Sequence, residues 1–210
     1  MDFQEYWAKK HQKYLSEDWI DRPTLFAKFA VEYLPKTGKI LDLGAGQGQD
    51  SRFFAKLGYK VTSTDFSDEA LRISAQKAKD DGVNIKFHNV DLAKTLPFRE
   101  AEFDVVYAHL SLHYFNHETT QQLFSEIFRI LKTGGVMAAL FNTTEDPEMA
   151  TGIKIEEGLY EVEGLAKRFF SLKYLEQSVS GKFTTIVADN KGETYKDKIK
   201  TLVRFVGKKI

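Results

Sequence analysis

Short apolar runs alternate with amphipathic stretches along most of the chain, in the order helix first, then strand and helix by turns. Leu25, Phe26, Phe29, Ala30, Tyr33 and Leu34 recur at helical spacing after Pro23, and Pro35 and Gly38 close that stretch. Residues 39–43 (KILDL) read as a strand, followed by a glycine-rich turn and a helix with Phe53, Phe54 and Leu57 on one face and Gly58 as its stop. A second strand is expected over 60–64. Ser67 then caps a helix with Asp68 and Glu69 in its first turn, running to Asp81-Gly82, and residues 85–89 form a third strand. Residues 103–108 (FDVVYA) form a fourth. Asn116 caps a helix whose Leu123, Phe124, Ile127, Ile130 and Leu131 share a face, and Gly134-Gly135 lead into a strand over 136–141. Strands separated by helices imply right-handed crossovers and a parallel sheet covered on both faces.

Beyond Phe141 the pattern changes. Residues 142–170 are polar and irregular, with Pro147 and several glycines, and are expected as a long surface excursion of the binding-loop or lid type. A helix near 171–177 follows, then β-rich runs over 184–188 and 201–206, joined through Asp189-Asn190-Lys191-Gly192 as a closing hairpin. With 210 residues and no internal repeat, one domain is the expected count.

Composition removes several function classes. The chain has no cysteine, which excludes a disulfide scaffold, a thiolate metal site and a cysteine nucleophile. Lys and Arg number 30 against 30 Asp and Glu, so no global field draws the chain to nucleic acid or anionic membrane. The basic tail from Lys191 through Lys196, Lys198, Lys200 and Arg204 to Lys209 reads as a solvated edge guarded by lysines. No stretch approaches the roughly 18 apolar residues that span a bilayer, and a cytoplasmic location is expected.

The candidate chemistry starts at Asp42-Leu43-Gly44-Ala45-Gly46-Gln47-Gly48, between the first strand and the first crossover helix. Glycines there admit a sharp turn and let a ligand lie against bare backbone, beside the free N–H groups of a helix start. The spacing is D-x-G-x-G-x-G. A dinucleotide fingerprint would need glycine at Gln49, and no G-K-[ST] follows for a triphosphate loop. Asp65, after the second strand, stands where such folds place a carboxylate for ribose hydroxyls, and Asp91 follows the third strand. Phe66 can lie against a base. All fall at carboxyl ends of strands, on one rim of the sheet.

With these residues in view, the chain resembles the class I S-adenosylmethionine-dependent methyltransferases. The likeness is carried by ILDLGAGQG, VTSTDFS, HNVDL, FDVVYAHLSLHYF and IFRILKTGGVMAALF, in family order over about residues 38–142. Within the family, LDLGAGQGQDSRFFAKLGYKVTSTDFS and the tail DNKGETYKDKIKTLVRFVGKK look most like the tellurite-resistance type. The resemblance implies an α/β fold, a Rossmann-like doubly wound sheet of seven strands in the order 3-2-1-4-5-7-6 with the last strand antiparallel. It implies one methyltransferase domain over 1–210: an N-terminal helical cap (1–38), a cofactor-binding core (39–141), a substrate-side excursion (142–170), and a helix with closing hairpin (171–210). By position, Gly44, Ala45 and Gly46 lie under the methionine part of S-adenosylmethionine with Asp42 and Gln49 nearby. Asp65 holds the ribose, Phe66 contacts adenine, Asp91 with Leu92 addresses the adenine edge, and His109 faces the methyl group. Ala45 and Thr133 stand where the family more often has cysteine and proline.

His109, His113 and His117 recur every four residues, but the segment lacks the glutamate of H-E-x-x-H and position 109 is leaving a strand, so no metal is expected. His109 or His113 is the expected proton acceptor for a protonated hydroxyl or amine; a soft anion needs none. Tyr6, Trp7, Tyr14 and Trp19 read equally as a lid over the cofactor mouth or as core packing. The acceptor pocket is expected to combine the 109–115 loop, the N-terminal helices and the excursion, including Tyr160 and Arg168. A small-molecule acceptor is favoured, and the N-P-P-[YF] signature of nucleic-acid amino-methylating enzymes is missing after strand four. An NAD-dependent oxidoreductase, disfavoured by Gln49 and the lack of a Tyr-x-x-x-Lys pair, and a non-catalytic cofactor-binding module are the competing readings.

Overall fold

The computed structural model describes residues 3–195 and 202–210. Helix α1 (Phe3–Tyr14) is followed by α2 (Leu25–Ala30), capped by Thr24, whose hydroxyl accepts from Ala27 N. A 3-10 turn (Val31–Tyr33) succeeds it, and Leu34 is already extended, as the following Pro35 requires. The Rossmann-like alternation then runs β1 (Lys39–Leu43), α3 (Gln49–Lys56), β2 (Lys60–Asp65), α4 (Asp68–Asp80), β3 (Ile85–Asn89), β4 (Phe103–His109), α5 (His117–Ile130) and β5 (Leu131–Asn142). Ser67 and Asn116 cap α4 and α5 through Ala70 N and Thr119 N.

The chain next forms α6 (Pro147–Thr151), β6 (Ile153–Glu156), β7 (Leu159–Val162) and β8 (Leu165–Arg168), then α7 (Leu172–Val179), β9 (Phe183–Gly192) and β10 (Leu202–Lys209). The main sheet has seven strands in the order β3-β2-β1-β4-β5-β10-β9. Counting only its own strands, this is the expected 3-2-1-4-5-7-6. Strand β10 lies antiparallel to both β5 and β9. Successive residues of the central strands alternate between two cores, as the pleat demands. Leu41, Val106 and Met137 pack toward α5 and α7, whereas Ile40, Val105 and Ala138 pack toward α2, α3 and α4. Each buried Leu, Ile or Phe there contributes about 1.5–3 kcal/mol relative to exposure. No helix among the described residues is long and apolar enough to cross a membrane.

The excursion corrects one expectation. Residues 142–170 carry a three-stranded antiparallel sheet, β6-β7-β8, with turns at Gly158 and at Glu163-Gly164, where two consecutive residues have positive φ. Leu159, Val162, Leu165 and Phe169 are buried beneath it. Smaller departures have local causes. Leu57 is exposed because α3 ends at Lys56, and Tyr59 supplies the inward side chain instead. Strand β5 begins at Leu131, directly after α5. Asp189-Asn190-Lys191-Gly192 belongs to β9 and makes no turn, since Asp189 pairs with Arg204 across the ladder at 2.7 Å. Thr201 and the tail residues 196–200 lie outside the described residues.

Candidate active site

The carboxyl rim of β1, β2 and β4 builds the floor of the site. Ala45 N donates to Thr64 O (2.7 Å) and Gly46 N to one oxygen of Asp65 (2.8 Å), while Ser67 N donates to the other (2.8 Å). Asp65 thus ties the glycine loop to the cap of α4. Gly44 has φ +67°, and a Cβ there would run into Ser111 Cβ. Ser111 Oγ in turn donates to Leu43 O. Glycine at 44 therefore serves both the turn and the close approach of the loop after β4. At the end of β4, Leu110 follows His109 with φ +54°, a strained backbone of the kind that collects at functional sites.

Beneath the loop lies a buried acidic pair. Asp42 accepts from Ser51 Oγ at 2.6 Å. Burial, with Asp50 and Asp65 adding negative charge, pushes Asp42 up to about 8, so it carries a proton at neutral pH. Asp50 accepts from Thr24 N (2.7 Å), Thr24 Oγ1 (2.8 Å) and the Tyr107 hydroxyl (2.7 Å). Sequence reading missed Thr24, Asp50 and Tyr107. Asp50 at the second position of α3 could have been read as a dipole partner; its link to Tyr107 depends on strand pairing.

A cavity of about 650 Å³ opens over this floor. Every residue expected at the cofactor or in proton transfer lines it: Asp42, Gly44, Ala45, Gly46, Gln49, Asp65, Phe66, Asp91, Leu92, His109 and His113. Asp91 caps its own turn, accepting from Ala93 N at 3.0 Å. The N-terminal aromatics Tyr6, Trp7, Tyr14 and Trp19 line the same cavity, so α1 roofs it. Trp7 meets Tyr114 edge to face at 5.5 Å between centroids.

The excursion reaches the cavity by other residues than expected. Leu165, Lys167, Glu148 and Glu163 line it; Tyr160 and Arg168 do not. Arg168 is instead fully buried behind the wall. Its guanidinium donates to Phe115 O (3.0 Å) and Glu157 O (3.2 Å) and pairs with Glu156, and its backbone N donates to His113 O at 2.7 Å. Lys167 is spent on Glu148 at 2.7 Å. The three histidines do not align: His109 ends a strand, His113 sits in the loop, and His117, in the first turn of α5, lies 3.0 Å from the Tyr174 hydroxyl through Nδ1. Among the described residues no group of three or more His, Asp or Glu is placed to hold a metal ion.

An open parallel sheet with a glycine loop, acidic strand ends and one cavity over its carboxyl rim defines a nucleoside-cofactor protein of the doubly wound class. Residues 40–135 match the family model described as a methyltransferase domain. A putative methyltransferase of Bacillus subtilis, YqeM, is 30% identical over 158 residues, 74% of this chain and 60% of that protein. A crystal structure of an S-adenosylmethionine-dependent methyltransferase from Methanosarcina mazei superposes with TM-score 0.76 at 23% identity, covering 87% of this chain and 97% of that one. TehB from Haemophilus influenzae superposes at 0.68 and 18% identity, over 99% of this chain and 67% of that one, a likeness of fold alone. The chain spans about half the length of the curated relatives it matches, 45% and 60% for two of them.

S-adenosylmethionine, the cofactor of this domain type, fits the residues present. The cavity lies within the roughly 300–1,000 Å³ of small-molecule sites. Its wall also holds two buried polar atoms without a hydrogen-bond partner, His11 Nδ1 and Gln47 Oε1, which a polar ligand would satisfy.

Proposed function

We propose that the protein transfers a methyl group from S-adenosylmethionine to a small-molecule acceptor. The observation that carries the reading is a single cavity joining the glycine loop and acidic strand ends to an aromatic roof. In this reading Gly44, Ala45 and Gly46 lie under the methionine part, with Asp42 and Gln49 beside it. Asp65 accepts from the ribose hydroxyls, Phe66 covers the adenine, and Asp91 with Leu92 meets its edge. The bound sulfonium supplies a methyl group already electrophilic. The chain therefore has to align an acceptor lone pair behind the methyl carbon and exclude water. Tyr6, Trp7 and Tyr114 provide the water-poor wall, and His109 stands at the strand end facing the transfer.

The acceptor end is aromatic and carries both lysines and carboxylates. Lys167 is paired with Glu148, and Lys10 lies 5.3 Å from the Tyr6 ring centroid. The aromatic part of this wall suits a flat acceptor that can lie against the rings. For a hydroxyl or amine acceptor, His109 or His113 takes the proton.

Titration calorimetry with S-adenosylmethionine, S-adenosylhomocysteine and NAD(H) tests the cofactor. Micromolar binding of the first two and none of the third is expected. Preference for NAD(H) would favour an oxidoreductase, and cofactor binding without transfer to any acceptor a non-catalytic module. Single His109→Ala and His113→Ala variants that both keep full turnover would remove the base role.

A further inference from the structure

Most of α1 is exposed or half-buried; His11, 6% exposed, is its buried residue among those described. The helix is fastened at that point to the glycine loop itself, because Gln47 Nε2 donates to His11 O at 2.7 Å. A second tie runs from Gln12 Nε2 to Glu69 in the first turn of α4. The imidazole approaches the loop through its Cε1 edge. Its Cε1 is 3.1 Å from where a Cβ on Gly46 would stand, so glycine at 46 makes room for this ring as well as for a ligand. Trp7 and Tyr14 flank it, with centroids 6.0 and 6.1 Å away.

The ring is thus held in place while its Nδ1, buried, has no hydrogen-bond partner. Gln47 Oε1, 2% exposed as a residue and in the same cavity wall, is likewise unsatisfied. Two orphaned polar atoms on a lid and on the loop it grips are the mark of a site completed by a ligand. Burial holds the imidazole below its ordinary pKa against the pull of Asp65 and Glu69, so near neutrality it offers one N–H and one lone pair.

We propose that His11 is a cofactor-positioning residue whose Nδ1–H donates to the ribose hydroxyl that gives its proton to Asp65. A hydroxyl carries one proton and two lone pairs. The Asp65 carboxylate only accepts and satisfies the proton; a neutral donor on the opposite side satisfies a lone pair, and His11 is the buried donor aimed there. Gln47 Oε1 adds an acceptor for a further ligand proton. This rests on the methyltransferase reading and extends it: the ribose is gripped between the floor and the α1 roof that Gln47 and Gln12 already hold in place.

The test is calorimetry of S-adenosylhomocysteine and of 5′-methylthioadenosine, which keeps the ribose and lacks the amino-acid end, on wild type, His11→Phe and His11→Asn. Phe keeps a ring between Trp7 and Tyr14 and removes both nitrogens; Asn restores an amide N–H near Nδ1. Expected is a roughly tenfold loss for both ligands in His11→Phe, largely recovered in His11→Asn, with the ligand-free unfolding temperature unchanged. Unchanged affinity in His11→Phe overturns the proposal, as does a loss confined to S-adenosylhomocysteine, or an equal loss in both variants. If His11→Phe does not fold, histidine-ring nitrogen NMR of the wild type decides: addition of 5′-methylthioadenosine must shift the His11 Nδ1 resonance, and an unmoved resonance overturns the proposal. Wild type that binds neither ligand refutes the methyltransferase reading and this inference with it, whereas wild type that binds while His11→Phe is unimpaired refutes this inference alone.

Discussion

The two ends of the cavity are held by different kinds of bond. At the cofactor end, main-chain amides do most of the work: Ala45, Gly46 and Ser67 N–H groups donate to Thr64 O and to Asp65, and Gly48 N returns to Ala45 O at 3.0 Å. At the acceptor end, side chains do it: Arg168 binds Phe115 O, Glu157 O and Glu156, and Lys167 binds Glu148. A floor made of backbone is fixed by a few glycines and strand ends and varies little with the residues around it. A wall made of long side chains depends on each of them.

The contrast can be broken by substitution. The largest effect is expected for Asp42, on the cofactor side. Its folded pKa of about 8 lies above the ordinary carboxylate value of 3.8, so the folded state binds the proton more tightly than the unfolded state. The contribution of Asp42 to stability should therefore be present at about pH 4 and be lost as pH rises towards about 8, a decline carried by this one group. Asp42→Asn, which mimics the protonated form, should lack that decline in urea unfolding between pH 5 and 7. An equal decline in both would assign the titration to another group.

Next comes Arg168→Ala, which strips a charged donor from two carbonyls and from Glu156. It should cost about 3 kcal/mol in urea unfolding at fixed pH while leaving S-adenosylhomocysteine affinity within about twofold. A matching collapse of cofactor affinity would erase the distinction between the two ends. Asp65→Ala should do the reverse, weakening S-adenosylhomocysteine by about 1–3 kcal/mol in calorimetry with a smaller loss of stability than Arg168→Ala. The smallest effect belongs to Glu148→Gln, which releases Lys167. Once an acceptor is found, its KM should change by a few-fold, about 1 kcal/mol or less, with the cofactor Kd unchanged. A shifted Kd would make Lys167 part of the cofactor end.

The same division decided what the sequence could convey. Strands β1 and β3, the caps Ser67 and Asn116, and the approach of Asp65 to the glycine loop follow from local signals: apolar runs, glycine spacing, a serine or asparagine before an acidic first turn. The excursion reads as irregular because its strands are only four residues long, and the alternation of β6 (Ile-Lys-Ile-Glu) puts its isoleucines at the surface, with Ile153 71% exposed, so the pattern marks no core. The signal that was present, Glu-Gly at 157–158 and again at 163–164, marks the two turns of its hairpins. Asp189-Asn190-Lys191-Gly192 misled for the opposite reason: turn chemistry was overruled by the Arg204 ion pair on the next strand. Membership of the excursion alone does not say which of its side chains face the cavity: Arg168, at the end of β8, turns behind the wall, and Tyr160 does not line it either. No local pattern reveals that Thr24 and Tyr107 meet at Asp50 across 83 residues of chain.

The small sheet leaves and rejoins the main one through a narrow neck. Phe170 N donates to Asn142 O at 2.8 Å, and Thr143 bridges Phe170. Because its two ends are already side by side, a change of length or sequence between them adds little closure entropy to the sheet that carries the cofactor site. The wall of the acceptor end is therefore a cassette. Its ties to the loop after β4 and to α5 are few, Arg168 N to His113 O, the Arg168 guanidinium to Phe115 O and His117 N to Glu156, and a replacement that met them could read a different molecule while the same glycine loop and acidic rim stayed in use beneath it.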